Sequence, residues 1–571
     1  MPDTTVPDLL ERRAVDAPEQ GVVFPDGRET YPELARSTRR LSAALWALGI
    51  RPGDSVGLLL HGCLDSYRLW LAAARIGAVT VPLNPRLKPR ELSYMIENAD
   101  LRLLISTAGF APVLHEALPG LAEGTPGRLA LDAAPLLRAV VALDGPAPGF
   151  LHGLDESADP GGADEARGAL RASDPILMLY TSGTTSRPRG CVHDHASLVA
   201  EGGAVAERLG LRPDDRFWAP LPMFHCGGFD VAIAALAGRC GMVHVGTFEP
   251  GRALDQLERE RCTIGFPAFE TIWVPVLEHP RFPEADLSAL RLVINVGAPE
   301  RMRAMQARLP QAVQTSCLGM TESFGFCCMG SPDDPAEVRA TTSGVPLRHM
   351  EAKVVDPETG EAVPPGVPGE FRFRGASRLV RYHRDPETTA ARIDADGWFA
   401  SGDLVVADEA GRLRFVSRRG DMLKVGGENV AAAEVEGFLC EHPAVGLVQV
   451  VGAPDARYGE VAAAFVQLKA GATATEEELV AFCLGRIATF KVPRYVRFVD
   501  EFPMSGTKVQ KFRLKERLAD ELKAAGITEA PVLSSRPRAS GGGGGGGRTF
   551  WTNQAARGWG GGGAGGAGAG W

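Results

Sequence analysis

The chain is predicted to be an α/β protein, and three features of its sequence carry that reading. Between Asp54 and Asn84 the apolar run Val56 to Leu60, the amphipathic stretch Ser66 to Ile76 and the run Ala78 to Pro82 read as strand, helix, strand, with Gly77 punctuating the second junction. Alternation of this kind argues for parallel sheet covered by helices. Similar units are expected at Arg291 to Leu309 and at Val445 to Val466. Length is the third feature: 571 residues, 45% hydrophobic, can bury ample core and should divide into more than one domain.

Taken in order, the remaining segments fit a cytoplasmic protein. Met1 to Gln20 is polar and acidic without an apolar core, so it does not read as a signal peptide. No apolar run approaches the roughly 20 residues of a membrane helix, and no transmembrane segment is expected. A net charge of -9 gives no electrostatic reason to expect nucleic acid as a partner. Ten scattered cysteines, with Cys327-Cys328 the only close pair, suit neither a zinc site nor a disulfide framework. Ser157 to Ser173, rich in Gly, Asp and Ala, reads as a surface loop, and the apolar run Ile176 to Leu179 as a buried strand. Near Ser417 to Asp421 a charged turn follows the strand Leu413 to Val416 and suggests a domain boundary. From Ala530 onward, Pro, Ser and Arg give way to a glycine run, Gly541 to Gly547, and to Gly/Ala repeats with Trp551, Trp559 and Trp571. Glycine loses the most backbone entropy on ordering and buries no side chain in return, so residues 528–571 are expected to be a disordered tail.

The stretch Leu179-Tyr180-Thr181-Ser182-Gly183-Thr184-Thr185-Ser186-Arg187-Pro188-Arg189-Gly190 gathers hydroxyls, glycines and two guanidinium groups into one loop directly after that strand. Backbone N–H groups near Gly183 and Gly190 can converge on an anion, the hydroxyls can donate to it, and Arg187 or Arg189 can neutralise it. That composition describes a phosphate cradle. It is not the P-loop of NTPases, because no G-x-x-x-x-G-K-[ST] occurs in the chain. Alone, it could equally be a solvated turn.

The loop resembles the phosphate-binding motif Y-T-S-G-T-T-G-x-P-K-G of the adenylate-forming superfamily, which includes acyl-CoA synthetases, luciferase and peptide-synthetase adenylation domains. Further pieces follow in that superfamily's order: Leu221-Pro222-Met223-Phe224-His225, Gly297-Ala298-Pro299, Leu318-Gly319-Met320-Thr321-Glu322, Gly397 to Asp403, Arg418, Lys424 to Val430, and Lys508-Val509-Gln510-Lys511. The likeness runs from about Thr30 to Leu522. It implies a large N-terminal AMP-binding domain, residues 1–417, of parallel and mixed sheets flanked by helices. A small mobile α/β domain would follow over residues 421–527, with Gly420 as the hinge.

The same resemblance implies a reaction and its residues. A carboxylic acid, ATP and Mg²⁺ would give acyl-AMP and pyrophosphate, and CoA would then take the acyl group; a homodimer is compatible with the family. Thr181, Ser182, Gly183, Thr184, Thr185, Arg189 and Gly190 would hold the outer phosphates, Thr321 would donate to a phosphate oxygen, and Glu322 would bind Mg²⁺. Gly297, Ala298 and Pro299 would lie against adenine, and Asp403 would accept hydrogen bonds from both ribose hydroxyls with Arg418 nearby. His225 would gate the acyl pocket, Lys508 would bridge carboxylate and α-phosphate, and Gly426 and Gly427 would line the passage for CoA.

Several positions depart from the family pattern. Ser186 replaces a glycine, Arg189 a lysine, Leu318 an aromatic, Ser401 a threonine, and Gly420 an Asp or Lys. The loop Pro503 to Lys508 is one residue short, with Thr507 where glycine usually precedes the lysine; Val509-Gln510-Lys511-Phe512 selects Lys508 over Lys511. The acyl segments, Cys226 to Ile233 and Ser323 to Cys328, read as apolar with no charged anchor, which suits a hydrophobic acyl or aryl acid. Two other classes stand beside the ligase. A stand-alone amino-acid adenylation enzyme would carry Asp where Cys226 stands, and a non-catalytic binding protein could be built on a decayed ligase.

Overall fold

The computed structural model describes residues 4–181, 188–418, 422–425, 428–505, 508–531 and 533. Among these, an eight-stranded sheet runs Arg381–Tyr382, Arg189–Asp194, Pro175–Thr181, Val79–Pro82, Ser55–Leu59, Leu101–Ser106, Ala139–Ala142, Leu151–His152. From Pro175–Thr181 onward the pairings are parallel; Arg189–Asp194 returns antiparallel on Pro175–Thr181, and Arg381–Tyr382 lies antiparallel on it. The expected strand–helix–strand unit is present as Ser55–Leu59, Leu64–Arg75 and Val79–Pro82. Gly77 turns its second junction at φ +71°, a conformation glycine adopts without steric cost.

A second sheet of seven strands runs Val313–Thr315, Leu292–Val296, Ile264–Phe269, Arg216–Ala219, Gly241–His244, Gly21–Phe24, Gly27–Thr30, parallel except at the last pair. The expected unit at Arg291 to Leu309 is the strand Leu292–Val296 followed by the helix Pro299–Arg308. Trp70 on the helix Leu64–Arg75 meets Phe229 on Cys226–Gly238 edge-on, ring centres 5.0 Å apart, so helices from both sheets share one buried core. Antiparallel strands Met350–Val355, Pro368–Gly375, Phe399–Ala407 and Leu413–Arg418 form a further sheet around Phe371, Phe373 and Phe399.

Three sequence expectations are corrected. Ser157 to Ser173 is not all loop: Gly161–Ala169 is helical. Buried Ala163 anchors that helix, and Asp164 accepts from Arg75 Nη2 at 2.7 Å and Arg39 Nε at 3.1 Å. Tertiary contacts there override the weak helix propensity of glycine. Val445 to Val466 is not strand–helix–strand but an antiparallel hairpin, Val445–Asp455 with Gly459–Leu468. A parallel crossover needs a dozen or more residues. Here three intervene, and Asp455 Oδ1 accepts from the N–H groups of Arg457 and Tyr458 to close the turn. Finally, the segment expected to be disordered from residue 528 begins with anchored residues. Thr528 O accepts from Ala456 N at 2.8 Å, Ala530 N donates to Asp455 Oδ2, and Pro531 O accepts from Arg494 Nη1 at 2.9 Å. Residues 534–571 lie outside those described.

The C-terminal part builds a five-stranded sheet from Glu428–Ala431, Met422–Val425, Gly459–Leu468, Val445–Asp455 and Tyr495–Phe498, among the described residues. Its helix Ala432–Cys440 packs on Pro299–Arg308: Arg301 Nη2 donates to Gly446 O at 2.6 Å, and an added Cβ on Gly437 would lie 3.4 Å from Ala298 Cβ. Ala298 thus faces the C-terminal part.

Candidate active site

The strand Pro175–Thr181 leads into the phosphate loop and Arg189–Asp194 leads out, with Thr181 paired to Arg189 and Tyr180 to Gly190. Ser182, Gly183, Thr184 and Thr185 lie outside the described residues; Thr181, Arg189 and Gly190 frame the loop's two ends. Gly190 has a packing reason, because a Cβ there would sit 2.8 Å from Met178 Sδ. Arg189 is partly exposed, and its Nε donates to Asp385 Oδ2 at 3.1 Å. Asp385 also caps the helix Pro386–Arg392 by accepting from Thr388 N. Partial burial pushes its carboxyl up, but the Thr388 hydrogen bonds and the Arg189 guanidinium outweigh that and hold it below the usual range.

Thr321 and Glu322 sit in a single 3₁₀ turn, Thr321–Ser323, closed by Ser323 Oγ accepting from Met320 N at 3.1 Å. The turn doubles back sharply: Phe324 is buried at φ +52° and Gly325 follows at φ +94°. A Cβ on Gly319 would fall 1.6 Å from Gly325 O, so only glycine lets the backbone cross itself there. Two side chains tie this turn to the phosphate loop. His193, fully buried on the strand leaving the loop, donates from Nε2 to Thr321 O at 2.9 Å. Burial pushes its pKa down to about 4, which keeps the ring neutral. Tyr382, paired with Cys191 on the same sheet, donates its hydroxyl to Glu322 Oε1 at 2.8 Å. Neither residue is visible as a site residue in the sequence, since both act across strand pairings.

The third element is the facing pair Asp403 and Arg418 on Phe399–Ala407 and Leu413–Arg418. Arg418 Nε donates to Asp403 Oδ1 at 3.0 Å; the carboxylate is 3% exposed, whereas the Arg418 side chain is 43% exposed. A buried carboxylate behind an exposed guanidinium suits a polyhydroxylated ligand lying on that sheet.

His225 immediately precedes the helix Cys226–Gly238, its ring 4.7 Å from that of Phe224. The expectation of an acyl region without charge is corrected here. Asp230 in that helix is 1% exposed, and its carboxylate occupies the space beside Gly325 that a side chain would otherwise fill. Glu201, fully buried, accepts from Phe326 N at 3.1 Å and lies 2.8 Å from His349 Nε2, which is also 2.8 Å from Ser377 Oγ. Burial raises both carboxyl pKa values well above the ordinary range, and the neighbouring Glu201 raises that of Asp230 further. A lone Asp in an apolar helical stretch was the available signal.

Gly297-Ala298-Pro299 bridges the strand Leu292–Val296 and the helix Pro299–Arg308, and a Cβ on Gly297 would lie 2.7 Å from Glu270 Oε1. Lys508 stands in the strand Lys508–Val509, paired in register with Ser505. Lys511 Nζ is committed elsewhere, to Glu436 Oε1 at 2.6 Å. Gly420, Gly426 and Gly427 lie outside the described residues. The described residues contain no cluster of three His, Cys, Asp or Glu able to hold a metal. Glu322 supplies one hard oxygen donor, which fits a Mg²⁺ whose other positions go to phosphate and water.

Comparison with known proteins decides the family. Residues 10–383 match the family described as AMP-binding enzyme, and residues 434–508 match the AMP-binding enzyme C-terminal domain. The chain belongs to the AMP-binding enzyme family. This AMP-binding enzyme is adenylate-forming, of the acyl-CoA synthetase kind. It is 35% identical to YngI of Bacillus subtilis, itself assigned only provisionally as an acyl-CoA synthetase, over 90% of this chain and 97% of that protein. It is 32% identical to the mitochondrial medium-chain acyl-CoA ligase ACSF2 of Rattus norvegicus, over 91% of this chain and 88% of that one. Among solved structures, the anthranilate CoA ligase AuaEII, bound to anthranoyl-AMP, superposes with a TM-score of 0.80 at 27% identity, covering 92% of this chain and 99% of that chain. No helix of the described residues is long and apolar enough to cross a membrane.

Proposed function

We propose that this AMP-binding enzyme activates a hydrophobic acyl or aryl acid with ATP and transfers the acyl group to CoA. One observation carries the reading furthest. The turn bearing Thr321 and Glu322 is bonded through His193 and Tyr382 to the strands that frame the phosphate loop, so an anion cradle and an oxygen donor for a cation share one scaffold. Attack of a weak carboxylate nucleophile on the α-phosphorus needs such cations and donors, because both reactants are anions. Thr181, Arg189, Gly190 and the loop residues between them would hold the departing phosphates. Glu322 would take one position on the Mg²⁺ that arrives with ATP, and Lys508 would bridge carboxylate and α-phosphate. Asp403 would bind the ribose hydroxyls. After pyrophosphate leaves, the C-terminal part would turn about Gly420 and admit the CoA thiol past Gly426 and Gly427.

The acyl end is supported by Phe266 and Phe326, whose rings meet edge-on at 4.9 Å beside the Asp230–Glu201 pair. A medium-chain ligase and an aryl-acid ligase among the similar proteins support the same substrate classes. The test is pyrophosphate release over a panel of medium-chain and aromatic acids, with thioester formation followed when CoA is added. Acid-dependent pyrophosphate without thioester would move the acyl group to another acceptor. No pyrophosphate with any acid would make the chain a binding protein.

A further inference from the structure

Three successive contacts from one short segment reach the phosphate site. Tyr382 Oη donates to Glu322 Oε1 at 2.8 Å, His383 N donates to Gly190 O at 2.8 Å, and Asp385 Oδ2 accepts from Arg189 Nε at 3.1 Å. The segment is itself fixed at both ends. Arg381–Tyr382 pairs with the strand leaving the phosphate loop, and Thr389 of the following helix accepts from Tyr382 N through Oγ1 at 3.1 Å. Tyr382 is buried, and its phenolic O–H faces the Glu322 carboxylate as the donor of that bond. With Oε1 occupied, Glu322 has its other oxygen to offer a cation, and the carboxylate is held in one orientation.

We propose that Tyr382 to Asp385 is a clamp that sets the triphosphate–metal site, with Tyr382 positioning Glu322 and Asp385 positioning Arg189. This rests on the ligase reading for what the site binds. The clamp acts on the outer phosphates and the cation alone. It therefore bears on Mg²⁺·ATP and not on AMP, and on adenylation and not on thioester formation from preformed acyl-AMP.

The experiment uses the full chain and the variants Tyr382→Phe and Asp385→Asn. Phenylalanine keeps the ring and removes one hydrogen bond to a charged group; asparagine keeps the helix cap and removes the charge. Calorimetric titration should show Mg²⁺·ATP affinity falling about tenfold in Tyr382→Phe and severalfold in Asp385→Asn, with AMP affinity unchanged. The Mg²⁺ concentration for half-maximal pyrophosphate release should rise in Tyr382→Phe, while thioester formation from supplied acyl-AMP holds. Combining Tyr382→Phe with Glu322→Gln should cost no more than Glu322→Gln alone. Equal losses of AMP and Mg²⁺·ATP affinity, or additive losses in the double variant, would overturn the clamp. Tighter Mg²⁺·ATP binding in Asp385→Asn would show that Asp385 competes with phosphate for Arg189 and would overturn that half. Failure of the wild-type chain to release pyrophosphate would count against the ligase reading, while the nucleotide titrations would still judge the clamp.

Discussion

Asp403 and Arg418 face each other in register across two antiparallel strands, and the 3.0 Å bond between them leaves the carboxylate buried and the guanidinium half in solvent. The arginine fixes the direction of the carboxylate, which in the proposed reaction would accept from the ribose hydroxyls. Asp403→Asn exchanges charge-assisted bonds for neutral ones. AMP affinity should fall by roughly 10- to 100-fold, the worth of about 1.5–3 kcal/mol of hydrogen bonding to a charged group. Arg418→Ala should cost less, because that side chain lies nearly half in solvent. Calorimetry with AMP checks both, and equal losses would mean that Arg418 touches the nucleotide directly.

The proposed reaction uses Lys508 and not Lys511. Lys511 is held by Glu436, and in the proposed reaction Lys508 would be the cation for the transferred carboxylate. Lys508→Ala should lower acyl-AMP formation by roughly two to three orders of magnitude, as when one preorganised electrostatic contact is removed. Thioester formation from supplied acyl-AMP should persist. Lys511→Ala should leave adenylation within about threefold of normal, since it breaks a partly exposed ion pair worth roughly 1 kcal/mol. The opposite pattern in single-turnover assays would exchange the two roles.

How legible these features were depends on the range over which each residue acts. Val56 to Leu60, Ser66 to Ile76 and Ala78 to Pro82 carry their period within themselves and fold almost as read. Thr321, Glu322, Asp403 and Arg418 lie in local motifs. Tyr382, His193 and Asp385 do their work through pairings between segments far apart in the chain, which no local pattern encodes. Asp230 was hidden differently: one acid in an apolar helix has little effect on its periodicity, and its burial depends on the missing side chain at Gly325. The helix Gly161–Ala169 escaped because its glycines disfavour it locally while Arg39 and Arg75 hold its Asp164 from outside.

Gly319 offers a steric test of the Thr321–Glu322 turn. Its Cβ position lies 1.6 Å from Gly325 O, a backbone atom that no rotamer change can move aside. Gly319→Ala should therefore displace the turn, lower stability by about 1–3 kcal/mol and depress pyrophosphate release more than AMP binding. Gly360→Ala serves as a control, because a Cβ there meets nothing within 4 Å, although its φ of +75° makes some backbone strain unavoidable. Urea midpoints and pyrophosphate rates on both variants would decide, and a Gly319→Ala enzyme with a normal rate would show that the turn tolerates displacement.

Acid should destabilise the fold through its buried histidines. His244 is fully buried, its Nε2 donating to Leu221 O at 3.1 Å and its Nδ1 accepting from Gly246 N at 2.9 Å, so a second proton would turn that acceptor into a clash of donors. Burial pushes its pKa down to about 4, and His193 is likewise pushed to about 4. An unfolded histidine titrates near 6.5. The unfolded chain therefore takes up these protons first as pH falls. The contribution of these rings is complete above about pH 6.5, declines below it and levels off near the folded value of about 4. Each ring contributes on the order of 3 kcal/mol to that loss, from roughly 1.4 kcal/mol per pKa unit. Urea unfolding at pH 7.5, 6.0 and 5.0 should show a midpoint that falls less in His244→Gln than in the unaltered chain, and the same pH dependence in both would mean that the His244 ring is protonated in the native fold.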